Sequence, residues 1–130
     1  MKISIEDILK AQKTIKPVIR ATPMRHSAYY SNLVGYDVFL KLENFQRTGS
    51  FKIRGAANKL LNLTPAEKKR GVIAASAGNH AQGVACVANI IKTRAVIVMP
   101  EKSPLIKVLS TKRFGAEVVL KGQNYDEAYE

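Results

Sequence analysis

The sequence predicts an α/β fold in which an open, mainly parallel, twisted sheet lies between two layers of helices. Apolar strand segments and helical segments alternate over residues 71–130. This alternation is typical of parallel strands joined by right-handed helical crossovers. The strand segments are continuous apolar runs, which indicates strands covered by helices on both faces. The composition agrees, since 46% of the 130 residues are hydrophobic and 24% are charged, as in ordinary globular domains.

The first 43 residues predict two helices and a strand. Ser4 and Asp7 have the spacing of a capping box, apolar residues follow at helical intervals, and Pro17 ends this helix. A short extended piece and a second helix follow, and Gly35 ends the second helix. Residues 37–43, with the sequence DVFLKLE, predict a strand.

Two further helices are predicted before the regular alternation begins. Ser50 is a suitable N-cap for a helix that runs to about Leu61. Thr64 and Pro65 have the residue types that open a helix, so a short one is expected there.

The second half predicts three strands and the helices that connect them. The strands are expected at residues 71–76, 95–100 and 116–120, and the helices at 79–92 and 103–115. Residues 124–130 begin another helix that reaches only about two turns. We therefore expect these 130 residues to be a portion of a longer enzyme.

Charge and cysteine usage restrict the class of protein. The chain has 21 Lys and Arg against 10 Asp and Glu, a net charge of +11, which could attract nucleic acid or an anionic cofactor. Aromatic residues are not interleaved with the basic ones, so nucleic acid is not predicted as a partner. The single cysteine, Cys86, excludes a disulfide within the chain and favours a reducing compartment. With no signal peptide and no apolar run of membrane length, a cytoplasmic protein without a membrane partner is expected.

A lysine follows the Gly49–Ser50 turn at the start of a predicted helix. Helix N-termini favour anions, so Lys52 is locally mismatched, and such mismatches are expected at functional sites. The positive helix end disfavours the protonated amine, and a neutral lysine amine can condense with an aldehyde. The alternative interpretation is a solvated surface lysine.

A second candidate site follows the first strand of the alternating region. Residues 76–80, SAGNH, run from the carboxyl end of a strand into a helix, where α/β sheets bind ligands. Ser76, Gly78 and Asn79 are small or polar, so a ligand could approach the backbone N–H groups. By itself, however, the stretch favours a plain loop with a good helix cap over a ligand site, and His80 favours a surface or capping histidine over a base.

Taken together, the two stretches resemble one family. "TGSFKIRGA" (48–56) with "SAGNHAQGVA" (76–85) is similar to the pyridoxal-phosphate-dependent serine/threonine dehydratases, which have the tryptophan-synthase-β-like fold, or fold type II. The resemblance extends over essentially all 130 residues. It implies pyridoxal 5'-phosphate as cofactor, a small amino acid as substrate and a homo-oligomer, either dimer or tetramer.

The resemblance also implies roles for individual residues. Lys52 would form the Schiff base with the cofactor and later remove the proton from the substrate Cα, and Phe51 would pack against the cofactor ring. Asn79 would donate a hydrogen bond to the 3-hydroxyl oxygen of the cofactor. The residues expected to hold the substrate carboxylate are Ser76, Gly78, Asn79 and His80. Arg54 and Gly55 are expected to serve structure, Gln82 and Gly83 packing, and no metal ligand is assigned.

The implied reaction is the dehydration and deamination of L-threonine or L-serine to a 2-oxo acid and ammonia. Serine racemases resemble the sequence too, but they place a serine before the loop glycine, where this chain has Ala77. A methyl group cannot donate a proton, so a dehydratase is favoured. The alternatives are a serine racemase or hydroxyaspartate ammonia-lyase of the same family, or a non-catalytic basic binding module.

One departure from the family pattern concerns the cofactor phosphate. The family holds the phosphate in a run of glycines, whereas this chain has 8 glycines and no two are adjacent. The resemblance assigns residues 1–50 to the start of the large cofactor domain and residues 51–130 to most of the small domain. We therefore expect the 130-residue chain alone to be weakly active or inactive.

Overall fold

The structure is a computed structural model that describes residues 2–130. Helices and strands alternate along the chain. In chain order they are α1 (Ile5–Ile15), β1 (Met24–His26), α2 (Ala28–Val34), β2 (Phe39–Lys41), α3 (Lys52–Leu61), α4 (Pro65–Arg70), β3 (Val72–Ala75), α5 (Asn79–Ile90), β4 (Ala95–Met99), α6 (Leu105–Arg113), β5 (Glu117–Leu120) and α7 (Tyr125–Tyr129). Within residues 2–130, every helix is too short or too polar to span a lipid bilayer.

The strands form two separate sheets. β1 and β2 pair antiparallel, with Met24 opposite Lys41. β3, β4 and β5 form a parallel sheet in that order, with Val72 opposite Ala95 and Val96 opposite Glu117. The predicted α/β class with a parallel sheet is therefore confirmed. The expected strand at 37–43 is shorter than predicted, because the chain turns into a short 3₁₀ helix at Glu43–Phe45.

Local signals placed most helix ends correctly. At the start of α1, Ser4 and Asp7 form the predicted capping box, with each backbone N–H bonded to the other side chain. Gly35 ends α2 with a φ of +80°, a left-handed conformation that favours glycine. At α4, Thr64 and Glu67 form a second capping box, and Pro65 is the first helical residue.

The main core lies between the parallel sheet and two helices. α5 contacts α3 on one side and β3 and β4 on the other. Its buried face consists mainly of small residues, such as Gly83, Ala85 and Ala88, which allow helices and sheet to approach closely. The largest fully buried side chains include Ile53 of α3, Val87 of α5 and Ile97 of β4.

α7 covers part of the second face of the parallel sheet. It follows β5 but contacts β3 and β4, so the chain turns back across the sheet. Its buried Ala128 does not belong to the core cluster beneath α5. Within residues 2–130 this face stays partly open, since Ile73 of β3 is 73% exposed.

Candidate active site

The lysine-bearing helix begins without a side-chain cap. Lys52 is the first residue of α3, the cap position is Phe51, and no side chain accepts a hydrogen bond from the first turn. The prediction that Ser50 caps this helix is wrong. Phe51 occupies the cap position, with φ −68° and ψ −14°, and its side chain has no oxygen that could accept a hydrogen bond from the first turn. Within residues 2–130, the buried Ser50 hydroxyl has no hydrogen-bond partner.

The Lys52 amine and the Phe51 ring are accessible together. Nζ of Lys52 lies 5.4 Å from the centroid of the Phe51 ring, a distance typical of a cation–π contact. The ring is 59% exposed, and Lys52 is exposed as well. A primary amine beside an open aromatic face offers a group for condensation and a surface for a flat ring.

The second candidate stretch also leads into an uncapped helix. Ser76 extends the β3 ladder by donating its N–H to the Val98 carbonyl over 3.0 Å. The cap position of α5 is Gly78, and no side chain caps the helix. A Cβ at Gly78 would meet no atom within 4 Å, so the space beside this backbone is open. The interpretation of the loop as an ordinary well-capped helix start is therefore not supported.

The first turn of α5 presents polar groups to solvent. Asn79 and His80 are both exposed. The first amide of this helix that bonds within it is that of Gln82, which donates to the Gly78 carbonyl over 3.4 Å. The amides of Asn79 and His80 precede the helical ladder and can donate to an anion. The His80 side chain lines a groove of about 190 Å³ together with Lys59 and Ile73.

Gly83 brings α5 against the uncapped start of α3. A Cβ at Gly83 would lie 3.3 Å from Ile53 Cα, from Ile53 N and from the Lys52 carbonyl carbon. The backbone of α5 therefore lies directly against the backbone at the start of α3. Gly83 is one helical turn beyond Asn79, a rise of about 6 Å. The structure thus places the predicted lysine and the predicted loop at one site.

The segment before Lys52 is anchored to residues 18–20 by side chains. Gln46 is buried, its amide oxygen accepts from Arg20 N at 3.1 Å, and its amide nitrogen donates to Arg20 O at 2.6 Å. Nε of Arg47 donates to the Val18 carbonyl at 2.8 Å. Gly49 then turns the chain with a φ of +67°. Sequence reasoning assigned no role to Gln46, because its partner is 26 residues away.

A bidentate ion pair holds the first turn of α3. Arg54 donates to Glu43 from Nε at 2.7 Å and from Nη2 at 2.8 Å. Thr22 donates its hydroxyl to the same carboxylate. These contacts, Arg54 first, hold the pKa of Glu43 at about 2, and the carboxylate raises the pKa of Arg54. The expected structural role of Arg54 is therefore consistent with its partner, which the sequence alone did not identify.

Comparison with known families agrees with this geometry. The profile of a family described as "Pyridoxal-phosphate dependent enzyme" matches residues 15–130. The chain belongs to this family. Its members use pyridoxal phosphate, and the residues at the site fit that group, with an exposed amine and an open aromatic face, while the uncapped start of α5 suits a carboxylate.

Two curated relatives of this family have related names. Over 128 residues the chain is 53% identical to an L-threonine ammonia-lyase of Thermotoga maritima, with 98% of this chain and 32% of the relative covered. It is 54% identical over 126 residues to a catabolic L-threonine dehydratase of Staphylococcus aureus, with 96% of this chain and 36% of the relative covered. The chain therefore spans about a third of the length of these relatives.

Solved structures in the family superpose closely on the chain. Maize serine racemase gives a TM-score of 0.93 at 34% identity, over 98% of this chain and 39% of that one. Threonine deaminase isoform 2 of Solanum lycopersicum gives 0.86 at 36% identity, over 99% of this chain and 37% of that one. The predicted fold type II architecture is confirmed by these neighbours.

Proposed function

We propose that the protein carrying this chain removes water and ammonia from L-threonine or L-serine and forms a 2-oxo acid. One observation carries the proposal: the backbone at Lys52, a residue with an exposed side chain, lies against Gly83, one turn after the uncapped start of α5. The names of the two curated relatives support threonine as a substrate. We further propose that residues 1–50 begin a large cofactor domain and that residues 51–130 form most of a small one.

Binding of the amino acid would use the first turn of α5. We propose that the free amides of this turn, together with Ser76, Gly78 and His80, hold the substrate carboxylate. Short-range hydrogen bonds and the positive helix end both favour an anion there. Asn79 would donate its amide to the 3-hydroxyl oxygen of the cofactor, and the open face of Phe51 would pack against the cofactor ring.

Proton transfer would use Lys52. Pyridoxal phosphate, when bound, stabilises negative charge that develops at the substrate Cα. The Lys52 amine would remove the Cα proton and hold it as an ammonium. The Lys52 ammonium would return this proton to the departing β-hydroxyl, which leaves as water and restores the neutral amine. The released enamine tautomerises and hydrolyses to 2-oxobutanoate from threonine, or pyruvate from serine, together with ammonium.

A racemase of the same family is the second candidate. The close superposition on maize serine racemase favours it, whereas Ala77 disfavours it, because its methyl group has no proton to deliver to the opposite face of Cα. Ala77 also packs against the core. With L-serine, pyruvate and ammonium in equal amounts support the lyase, and loss of chirality without ammonium supports the racemase.

We also propose a cytoplasmic, homo-oligomeric enzyme without nucleic-acid or membrane partners. The sequence arguments on charge, aromatic placement and cysteine usage support the compartment and the absence of nucleic acid, and the family resemblance supports the oligomer. Gel filtration coupled to light scattering, at low and at high salt, tests the oligomer and any bound nucleic acid.

The experiment that tests the function locates the cofactor. In the intact protein, Lys52→Ala should abolish covalent attachment of pyridoxal phosphate and lower kcat for threonine by at least about 10³-fold, because both the linkage and the base are lost. Borohydride reduction, digestion and mass spectrometry should find the cofactor on Lys52 of the unchanged protein.

Lys59→Ala is the matched control. Lys59 is an exposed lysine two turns further along the same helix, so its replacement changes charge equally and should leave the covalent attachment of the cofactor unchanged. Cofactor found on a different lysine, or normal deamination by Lys52→Ala, would overturn the proposal.

A further inference from the structure

Gly83 is the contact through which α5 could control the position of Lys52. The three atoms nearest to an added Cβ, at 3.3 Å each, are all backbone atoms of Lys52 and Ile53. No side-chain rotation could relieve such a contact, so the two helices would have to separate by a few tenths of an ångström. Ile53 is fully buried, which prevents the start of α3 from tilting freely.

An ion pair also holds this helix start. The Arg54 guanidinium is fixed by two bonds to Glu43, at 2.7 and 2.8 Å. Because this pair ties the first turn of α3 to Glu43, a displacement caused at Gly83 would move the backbone at Lys52 relative to the Ser76–Asn79 loop. Gly83 itself has no group that could bind a substrate or cofactor.

We infer that Gly83 is a positioning residue that sets the separation between the Lys52 amine and the ligand-binding start of α5. The inference rests on the proposed role of Lys52 and goes beyond it. Gly83, which the sequence assigned to packing alone, would control the distance between the reacting groups. Misplacement of a catalytic group by about 1 Å can cost about 10²-fold in rate. A displacement of a few tenths of an ångström should therefore cost about tenfold.

The chain offers a matched control in Gly55. Both glycines lie inside helices, at Lys52–Leu61 and Asn79–Ile90, and neither has a positive φ. Alanine is the better helix former at both positions. A Cβ at Gly55, however, would meet no atom within 4 Å. Only the substitution Gly83→Ala would place a methyl group in close contact with the backbone of Lys52.

The experiment compares Gly83→Ala and Gly55→Ala in the intact protein. Gly83→Ala should weaken pyridoxal phosphate binding about tenfold, lower kcat about tenfold with KM nearly unchanged, and shift the pH midpoint of the absorbance band of the bound cofactor. Gly55→Ala should leave all three unchanged. Circular dichroism and the thermal midpoint of each variant report on folding.

A second measurement does not depend on activity. In the cofactor-free protein, the rate at which acetic anhydride labels Lys52 is compared by mass spectrometry with the rate at Lys59. This ratio should change in Gly83→Ala and not in Gly55→Ala.

The outcomes separate the inference from the proposed function. Cofactor attached elsewhere than Lys52 would defeat the function whatever Gly83 does. Cofactor on Lys52 with equal binding, kinetics and labelling in both variants would defeat the inference alone. A Gly83→Ala protein that loses thermal stability with unchanged cofactor properties, or that does not fold, would also overturn the inference, because either result indicates general packing.

Discussion

At the scale of single residues, the Glu43 carboxylate connects two segments of the site. Its side chain is only 15% exposed and that of Arg54 is 32% exposed, so solvent screens the ion pair less than a surface pair. Arg54 and Thr22 both donate to it, and its pKa falls from 4.5 to about 2. By contrast, the surface pair of Arg94 and Glu117 has side chains 71% and 53% exposed.

The depressed pKa of Glu43 gives a prediction for stability against pH. Because the folded pKa lies below the unfolded one, the stabilisation is fully present above about pH 5 and is lost as the pH falls towards 2. Glu43→Gln should therefore lower the free energy of unfolding by about 2–3 kcal/mol at pH 7, and by much less at pH 2.5. Urea unfolding at both pH values measures this difference.

Glu117→Gln is the control for this prediction. It also removes a carboxylate from an arginine, at 2.7 Å, but the pair is exposed and should contribute less than about 1 kcal/mol at pH 7. Equal losses in the two variants, or a loss at Glu43 that does not depend on pH, would contradict the account of the ion pair.

At the scale of elements, helix starts divide into capped and uncapped ones. Side chains of Ser4, Ser27, Thr64 and Asn124 accept hydrogen bonds from the first turns of their helices. The helices that begin at Lys52, Asn79 and Leu105 have no such cap. An uncapped N-terminus leaves amides available for a ligand, and the helices that begin at Lys52 and Asn79 both lie at the candidate site.

The difference between capped and uncapped helix starts predicts different effects on stability for two similar substitutions. Thr64→Ala removes a capping hydroxyl and should lower the free energy of unfolding by about 1 kcal/mol. Ser50→Ala removes a buried hydroxyl that has no partner within residues 2–130, so it should leave stability unchanged or slightly raised. Urea denaturation of both variants is the measurement. A loss of about 1 kcal/mol in Ser50→Ala would show that Ser50 is a cap after all.

At the scale of the whole molecule, the site residues lie at the surface of the described chain. Phe51, Lys52, Asn79 and His80 are all exposed. The relatives that match are about three times as long, and this chain contains no adjacent glycines that could surround a phosphate. Full burial of a cofactor would therefore require contacts with residues other than those of this 130-residue chain.

We accordingly expect the 130-residue chain alone to bind pyridoxal phosphate weakly and to turn over threonine slowly or not at all. Absorbance titration with the cofactor and an assay for 2-oxobutanoate measure the two properties. The intact protein is the positive control. Tight binding together with rapid turnover by the 130-residue chain would contradict this expectation.

The sequence alone was sufficient for the family, the class of fold and most element positions. Capping residues, apolar periodicity and glycines with positive φ act over a few neighbouring residues, so the signals at Ser4, Gly35 and Thr64 can be recognised without a structure. Lys52 and the SAGNH loop were recognised as motifs because their residue types and spacing are unusual together. Their roles stay predictions until the cofactor is located.

Only the tertiary structure decided how these motifs meet. The contact of Gly83 with the backbone of Lys52 and Ile53, and the pairing of Glu43 with Arg54, join segments that are separate in the chain. The tertiary structure also shows that the Ser50 hydroxyl is buried without a partner within residues 2–130 and does not cap α3. Local patterns depend on nearest neighbours, whereas these contacts depend on how the whole chain reverses direction and packs.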